Sequence, residues 1–598
     1  MKLKKIMAAL MISATIIQGF SISAYGAQTA SSAKISSITW QDQENAVLIW
    51  DSEPNFSYNI YRSDTKDGSY TMIGSSSSGS YRDNTAYYPN VYYYKIQPVS
   101  SNGTTGTVSD AVMSGTNPQK LSKVTVLMYH NFISDEDIKN GVVFEEYSLK
   151  PADFEADLQY FRNNGYTTIT SADLINYING QKPLPAKAII ISIDDGTLGV
   201  YENAWPLLKR YRAKADFNVI GENIDSAWQT IYDGGTRDGE SAPYCQWNEI
   251  VKMCESGEIN ICSHTYGLHH YNRDGRKGTA LMEGEDINSF INMIKEDYSL
   301  AVSCINGWTN IMPKTMAYPY SRRSSESDKA ILENTGYEIL MAGDGARPTS
   351  SNYFVDGASP DGYWRLINRP CRMEGHPASE YINNADAKDS QNGVNTVENT
   401  LLLTNEECTE IAKFYSPFED VSGEAWYSGA VYYGYVNSLF PGATLTNFFP
   451  DSVVSRSAAA ATLYQIAGEP NVADAKTFDD VQLNNPSINA VSWATDNNII
   501  PPDESNLFNP DEPITRAELA LALYQYSTLK GIDIKPVSAY KAFSDESSIS
   551  SNALQAVRWA VERGIFSGDD NGKFLPNGEL TKAQLAVILQ NFIQKTAE

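Results

Sequence analysis

The chain has 598 residues and a net charge of −26, from 46 Lys+Arg against 72 Asp+Glu, and at about 150 residues per domain that length predicts roughly four domains rather than one compact fold. The acidic balance excludes the basic footprint of a nucleic-acid binder and disfavours bulk attraction to anionic membranes. With 42% hydrophobic residues, 37 Tyr, 20 Phe and 10 Trp, ordinary cores can form and wholesale disorder is excluded.

Residues 1–27 have the layout of a secretory signal peptide: Lys2, Lys4 and Lys5 precede an apolar run from Ile6 to Phe20, and the small residues Ala24, Gly26 and Ala27 follow. The run is shorter than the roughly 20 residues that span a bilayer, and no later stretch reads as transmembrane. An exported chain, free of membrane after signal removal, is therefore expected. Six cysteines in this length do not make a disulfide scaffold, and their spacings match no zinc pattern. Buried thiols or one or two bridges are expected.

Residues 32–117 read as short strands at 46–50, 58–62, 70–74 and 91–99 between Asp-, Ser-, Gly- and Asn-rich turns, the pattern of an all-β sandwich. The wording "YNIYRSDTKDGSYTMIG" and "YYYKIQPVSSNG" resembles a fibronectin type III module. A spacer is the plainer reading of the module, with a sugar-binding face of exposed tyrosines as the alternative. A Gly-Thr-Asn-Pro linker at 115–118 ends it.

From 120 to 380 strands alternate with helices. Apolar strands are expected at 124–129, 188–193 and 215–220, and helices at 151–164, 205–212 and 248–255. In the first helix Phe154, Leu158 and Phe161 recur at spacings of four and three. Alternation of this kind predicts a mainly parallel sheet or barrel with active groups at the strand C-terminal ends. Residues 381–414 read as a linker.

Beyond 415 the sequence repeats itself. Phe418, Phe478 and Phe543 each open an F-x-D triplet, Ala430-Val431 recurs as Ala490-Val491 and Ala556-Val557, and Phe448, Phe508 and Phe574 each stand two residues before proline. Ser455-Arg456, Thr515-Arg516 and Thr581-Lys582 follow. Three units, 415–472, 473–537 and 538–598, each read as helix, loop, helix, and such units bury their apolar faces against their neighbours. The whole is a multidomain chain: an all-β sandwich, then an α/β domain, then an all-α repeat module.

Only five histidines occur, and His264, His269 and His270 fall within seven residues. Upstream, Ile191-Ser192-Ile193-Asp194-Asp195-Gly196 is an apolar strand ending in two carboxylates and a glycine. A divalent cation with an open position needs about three protein ligands, and Asp195, His264 and His269 can supply them. On an α-helix, positions i and i+5 lie about 140° apart and could not converge, so 263–269 must be a strand end running into a loop, with Gly267 permitting the turn. Adjacent Asp194 and Asp195 would point to opposite sides if extended; at a strand end one can ligate while the other stays free as a base. The plainer reading is a set of surface or core-capping histidines. His130 could equally be a buried imidazole ending its strand, His270 reads as a neighbour of the cluster, and His376 as a surface-loop residue.

These residues make a family recognisable. The blocks "IIISIDDGTLGVYENAWPLLKRYRAKADFNVIG", "EIVKMCESGEINICSHTYGLHH" and "KTMAYPYSRRS" resemble the polysaccharide deacetylases, the carbohydrate esterase group that shares the nodulation-type chitooligosaccharide deacetylase fold, over about 122–375. The resemblance implies a distorted (β/α) barrel in which Asp194 is the catalytic base, Asp195, His264 and His269 hold Zn²⁺ or a similar metal, and Tyr320 lends its backbone N–H to the oxyanion. His₂-carboxylate also suits Co²⁺ or Fe²⁺. Two departures stand out. Ala317-Tyr318-Pro319-Tyr320 lacks the arginine that many members place there to orient the base, with Arg369 or Arg365 as candidate replacements. No late Leu-x-x-His supplies the acid; Leu127-Met128-Tyr129-His130 at the start resembles a branch with permuted motif order, in which His130 protonates the leaving amine.

The three repeats resemble S-layer homology domains, with Ile514-Thr515-Arg516-Ala517-Glu518 an especially close match. That implies a three-lobed module binding an acidic secondary cell-wall polymer through Arg456, Arg516 and Lys582, a cation on an anionic sugar substituent. Helix-start surface charge is the plainer reading of each. The expectation is thus a secreted enzyme of the bacterial cell wall that de-N-acetylates an N-acetylglucosamine-containing polysaccharide. Its rivals are an O-acetyl esterase on a xylan-like glycan and an inactive wall-bound glycan-binding protein.

Overall fold

The structure is a computed structural model and describes residues 33–596 apart from 43–44, 67, 87–91, 115–120, 238–239, 241–242, 273–274, 344–349, 356–364, 392–402, 441–442, 474 and 536–539. The expected signal peptide and the Gly-Thr-Asn-Pro linker lie outside the described residues. Two compact units divide the chain, Met1–Thr116 and Asn117–Glu598.

In the first unit the strands Ile35–Asp42, Asn45–Trp50 and Ser80–Asp83 form one antiparallel sheet, and Thr71–Ser76, Phe56–Ser63, Tyr93–Ser100 and Val112–Met113 form the other. Alternate residues of the longer strands turn inward, so Leu48, Trp50, Tyr58, Ile60, Tyr94 and Ile96 are buried. Trp50 and Tyr58 meet edge to face from opposite sheets, with ring centroids 5.4 Å apart. Asp83 is a second tie, accepting from Arg62 at 2.8 Å and from the Tyr94 hydroxyl at 2.9 Å. Three strands lie outside the expected ones, Ile35–Asp42, Ser80–Asp83 and Val112–Met113, and the last two lack an apolar alternation of their own.

In the second unit seven parallel strands follow one another around a sheet in chain order: β1 Leu121–Tyr129, β2 Ala188–Ile193, β3 Ala215–Val219, β4 Ile259–Ser263, β5 Thr315–Ala317, β6 Ile339–Ala342 and β7 Leu366–Asn368. The sheet closes on itself just past β7, where Met128 N–H donates to Pro370 O at 2.9 Å and Arg372 N–H to Met128 O at 2.8 Å. This is the expected (β/α) barrel, distorted by Thr167–Ile169 beside the first half of β2 and by Asn352–Val355 running antiparallel to the start of β1. Every residue of β2 is buried, as a strand covered on both faces requires. Outside it, helix Pro151–Asn163 starts with proline at its first turn and lays Phe154 on Phe132 (4.6 Å) and Tyr129 (5.4 Å).

The expected linker at 381–414 is corrected in part. Asn405–Ala412 is a helix, and residues 381–391 are the last eleven of helix Ala378–Gln391, in which Ala378 and Ile382 enter the barrel core and buried Asp389 accepts from Ser350 and Ser351 N–H. Its sequence hid it because so few apolar residues mark its inner face. All six cysteines are free thiols, so the bridges left open are not formed.

The repeat module has helices Ser428–Val436, Ile488–Asp496 and Leu554–Glu562 as the first of each pair and Arg456–Ile466, Arg516–Lys530 and Lys582–Thr596 as the second. The F-x-D aspartates explain that motif. Asp420 accepts from Phe448 and Phe449 N–H, Asp480 from Phe508 and Asn509, and Asp545 from Phe574 and Leu575, at 2.6 to 3.1 Å. The starts of the second helices interlock cyclically: Arg456 N–H donates to Glu512 O, Arg516 N–H to Gly578 O and Lys582 N–H to Ser452 O. Three lobes therefore close into one module.

Candidate metal centre and its base

Strand β2 delivers both carboxylates. Asp194 N–H still bonds the Tyr129 carbonyl of β1 at 2.9 Å, after which Asp195 and Gly196 turn left-handed, with φ of 76° and 93°. A non-glycine residue in that region is strained and needs its surroundings to hold it. The turn separates the two side chains, so that Asp194 points into the barrel and Asp195 toward the histidines. Sequence reasoning placed the second turn at Gly267; the structure puts it at Thr265, with φ of 71°, because Ser263 Oγ receives the Thr265 N–H and buried Asp297 receives those of Tyr266 and Gly267.

Asp195 Oδ1 lies 3.5 Å from His264 Nε2 and 3.5 Å from His269 Nε2, and the donor atoms of the three residues all fall within 4.8 Å of one another. Two donors of a tetrahedral ion with bonds of about 2.0–2.1 Å sit about 3.3 Å apart, so these spacings fit a divalent cation. His264 Nδ1 lies 2.9 Å from the Ala317 carbonyl, which fixes the Nδ1–H tautomer and leaves the Nε2 lone pair toward Asp195. Burial pushes the His264 imidazolium down to about 3 and also lowers His269, so both rings are neutral, as ligands must be. Asp195 Oδ1 is buried without a hydrogen-bond partner, and burial, with Asp194 adding to it and His130 opposing it, pushes the carboxyl up to about 6. An orphaned carboxylate oxygen between two imidazole lone pairs is the donor set a cation would satisfy.

Asp194 differs. It is 2% exposed, yet its Oδ1 accepts from Arg369 at 2.6 Å and from Asn218 Nδ2 at 2.8 Å, and Oδ2 stands 3.7 Å from His264 Nε2. Burial acts to raise its pKa, but the Arg369 charge, the adjacent His264 ring and the Arg369 hydrogen bond outweigh it and hold the carboxyl well below the usual range. Of the two candidate replacements for the absent motif arginine, Arg369, fully buried on the segment after β7, is the one that reaches Asp194; Arg365 instead bonds the Glu338 carbonyl at 3.0 Å. Asn218 was missed, although an asparagine inside the buried strand "ADFNV" was a usable signal.

His130 ends β1 on the same rim, with its Nδ1 3.7 Å from Cys371 Sγ and its ring 5.1 Å from that of Tyr147. Tyr320 stands with its ring 4.4 Å from that of His269 and its backbone left-handed, at φ of 56°. Beyond it Tyr271, 71% exposed, meets Tyr320 edge to face, and Lys277 lies over both rings. His270 faces Glu222 at 3.6 Å, and His376, exposed, pairs with Glu380 at 3.2 Å. In the repeats each cation reaches into the next lobe. Arg456 bonds Phe508 O, Pro501 O and Glu518, Arg516 bonds Phe574 O and Ser567 O, and Lys582 lies over the Phe449 ring.

The family model of polysaccharide deacetylases matches residues 181–340, and that of S-layer homology domains matches 477–520 and 542–586. YxkH of Bacillus subtilis is 24% identical over 225 residues, 37% of this chain and 64% of its own length. A poly-beta-1,6-N-acetyl-D-glucosamine N-deacetylase of Staphylococcus aureus is 22% identical over 242 residues, 40% of this chain and 75% of its own. Among solved structures, IcaB from Ammonifex degensii has 23% identity and a TM-score of 0.33, with 44% of this chain and 96% of that one covered. An Fn3-like protein from Clostridium thermocellum has 28% identity and a TM-score of 0.14, with 14% and 92% covered. The chain carries a polysaccharide deacetylase domain followed by two S-layer homology domains. Among the described residues no helix is long and apolar enough to cross a membrane.

Proposed function

We propose that the chain is an exported, wall-anchored, metal-dependent enzyme that removes N-acetyl groups from an N-acetylglucosamine-containing cell-wall or surface polysaccharide. The observation that carries this is the division of labour at the end of β2. Asp194 is held ionised by Arg369, while Asp195, His264 and His269 turn donor atoms toward one point, the Asp195 Oδ1 without a hydrogen-bond partner. A divalent cation there, zinc first among candidates, supplies Lewis-acid polarisation of the acyl carbonyl and acidification of water. Asp194 accepts the proton from water as its oxygen bonds the acetyl carbon. The Tyr320 N–H donates to the developing oxyanion. The C–N bond then breaks, His130 gives a proton to the leaving nitrogen, and acetate and a free amine result. The name of the staphylococcal relative, an N-deacetylase, supports the amide over the ester.

The second and third repeats belong to a domain class of cell surfaces, and Arg456, Arg516 and Lys582 are the cations we assign to an anionic wall polymer. The β-sandwich is assigned as a fibronectin type III-like spacer. Acetate release by the full chain tests the reading, using N-acetylglucosamine oligomers and acetylated xylan, with chelator and with Zn²⁺ restored. Metal-dependent release from the oligomers is expected. Release from xylan alone would make the protein an esterase, and silence from folded, metal-loaded protein would overturn the enzymatic reading.

A further inference from the structure

The first repeat departs from the other two at particular positions. In the helices Ser428–Val436, Ile488–Asp496 and Leu554–Glu562, the shared Ala-Val pair is followed by Tyr432, Ser492 and Arg558 in register, then by Tyr435, Thr495 and Val561, then by Val436, Asp496 and Glu562. Positions that are mostly polar in the later copies have become aromatic or apolar in the first. Its helix is correspondingly buried along nearly its whole length, which an outer helix of a free-standing lobe would not be.

Helices Asn405–Ala412 and Lys582–Thr596 cover part of it, with Gly429 against Thr409, and the barrel takes the tyrosine edge. The Tyr432 hydroxyl accepts from Ala186 N–H at 2.8 Å, the Tyr435 hydroxyl donates to Tyr166 O at 2.7 Å, Lys187 Nζ donates to Val436 O at 3.1 Å, and Ser438 Oγ donates to Asn163 O at 2.8 Å. The Arg162 guanidinium stacks on the Phe418 and Tyr435 rings at 5.1 and 5.5 Å and donates to the Pro417 and Thr444 carbonyls. Gly165 is left-handed, φ +72°, and a Cβ on it would lie 2.6 Å from Val436. The two surfaces therefore touch backbone to backbone.

The barrel residues used share one location. Tyr166 precedes the strand Thr167–Ile169, and Ala186 and Lys187 precede β2. They stand at the N-terminal end of the strands, whereas Asp194 and Asp195 follow β2. Six strand residues at about 3.3 Å each separate the two ends by roughly 20 Å.

We infer that the first repeat is a docking lobe that clamps the base of the catalytic barrel, fixing the active-site mouth on the side opposite the clamp so that the anchored enzyme works on glycan reaching it from that outer side. The docking stands on its own; the consequence for glycan access rests on the proposed wall attachment.

Hydrogen exchange on the full chain tests it. Gly165→Asn keeps the left-handed backbone accessible but inserts a side chain against Val436, and Tyr435→Thr installs the residue of the second repeat from the opposite side. Each variant should lose protection in 162–168, 185–188 and 428–438 together, by tenfold or more, with the active-site strands and the second and third repeats unchanged. Unchanged exchange of the barrel segments in both variants would overturn the docking. Neither residue belongs to the catalytic site, so acetate release from soluble oligomers should persist in both. Wild-type enzyme bound to isolated walls should release acetate from added oligomers within about twofold of its free rate; a tenfold loss on wall binding would overturn the outward orientation. The exchange readout does not depend on catalysis, so its failure is distinguishable from failure of the proposed activity.

Discussion

Asp194 is a fully buried carboxylate whose low pKa depends most on Arg369. Replacing Asp194 by Asn should leave metal content at one equivalent while lowering turnover by about 10²–10⁴, the usual contribution of a positioned base; metal analysis beside acetate release checks it. Arg369→Met tests the partner. The wild-type carboxyl is held well below the usual range, so it remains ionised as pH falls through mildly acidic values and does not set the acid limb of the rate profile. Without Arg369 its pKa rises, and the acid limb of kcat/KM should move to higher pH. Leaving an unpaired buried charge should also destabilise the protein by about 3–5 kcal/mol, seen in a melt. The convergence of Asp195, His264 and His269 was legible in the sequence because their types and spacing suit one cation at a strand end running into a loop. Arg369 was one of two candidates because 175 residues separate it from Asp194, and only barrel closure brings the end of the sheet back to its start.

The recurring F-x-D loop shows how a motif becomes an element. Each aspartate receives two successive N–H groups at the turn before the second helix, so the repeat period is also the period of a hydrogen-bonded corner. For Asp545 burial acts to raise the pKa, and the Phe574 and Leu575 N–H groups outweigh it and lower it. A lowered folded-state pKa means stabilisation fully present above the ordinary carboxyl value of about 3.9 and lost as pH falls through the folded value. The repeat module's melting temperature should therefore fall below about pH 4, and Asp545→Asn should be less stable at pH 7 yet flatter with pH. The repeat pattern was legible because periodicity survives divergence. The use of the first repeat was not, since Tyr432 and Tyr435 declare themselves only against the barrel surface they meet. Helix Ala378–Gln391 escaped for the related reason that only Ala378 and Ile382 enter the core and its far end is tied by Asp389.

At the scale of the whole molecule, a chain of net charge −26 is proposed to hold an anionic polymer. The long-range term is repulsive and reaches as far as the Debye length, about 30 Å at 0.01 M salt and 10 Å at 0.1 M. The local term is a cation set between lobes, and burial lowers both Arg516 and Lys582, so solvent screens these charges less than exposed ones. The two terms respond differently to salt. Retention on isolated walls should rise from 0.01 M to about 0.1 M, as the general repulsion is screened, and fall only at higher salt. The double variant R516Q/K582Q should release the protein into the wash at every salt concentration while acetate release from soluble oligomers is unchanged. Arg456 makes a contrast, because its Nε and both terminal nitrogens are already bonded within the second repeat. Its substitution should lower the melting temperature as well as retention. A monotonic fall in retention from the lowest salt upward would show that attraction dominates at long range, and would place the polymer on a cationic surface other than these inter-lobe positions.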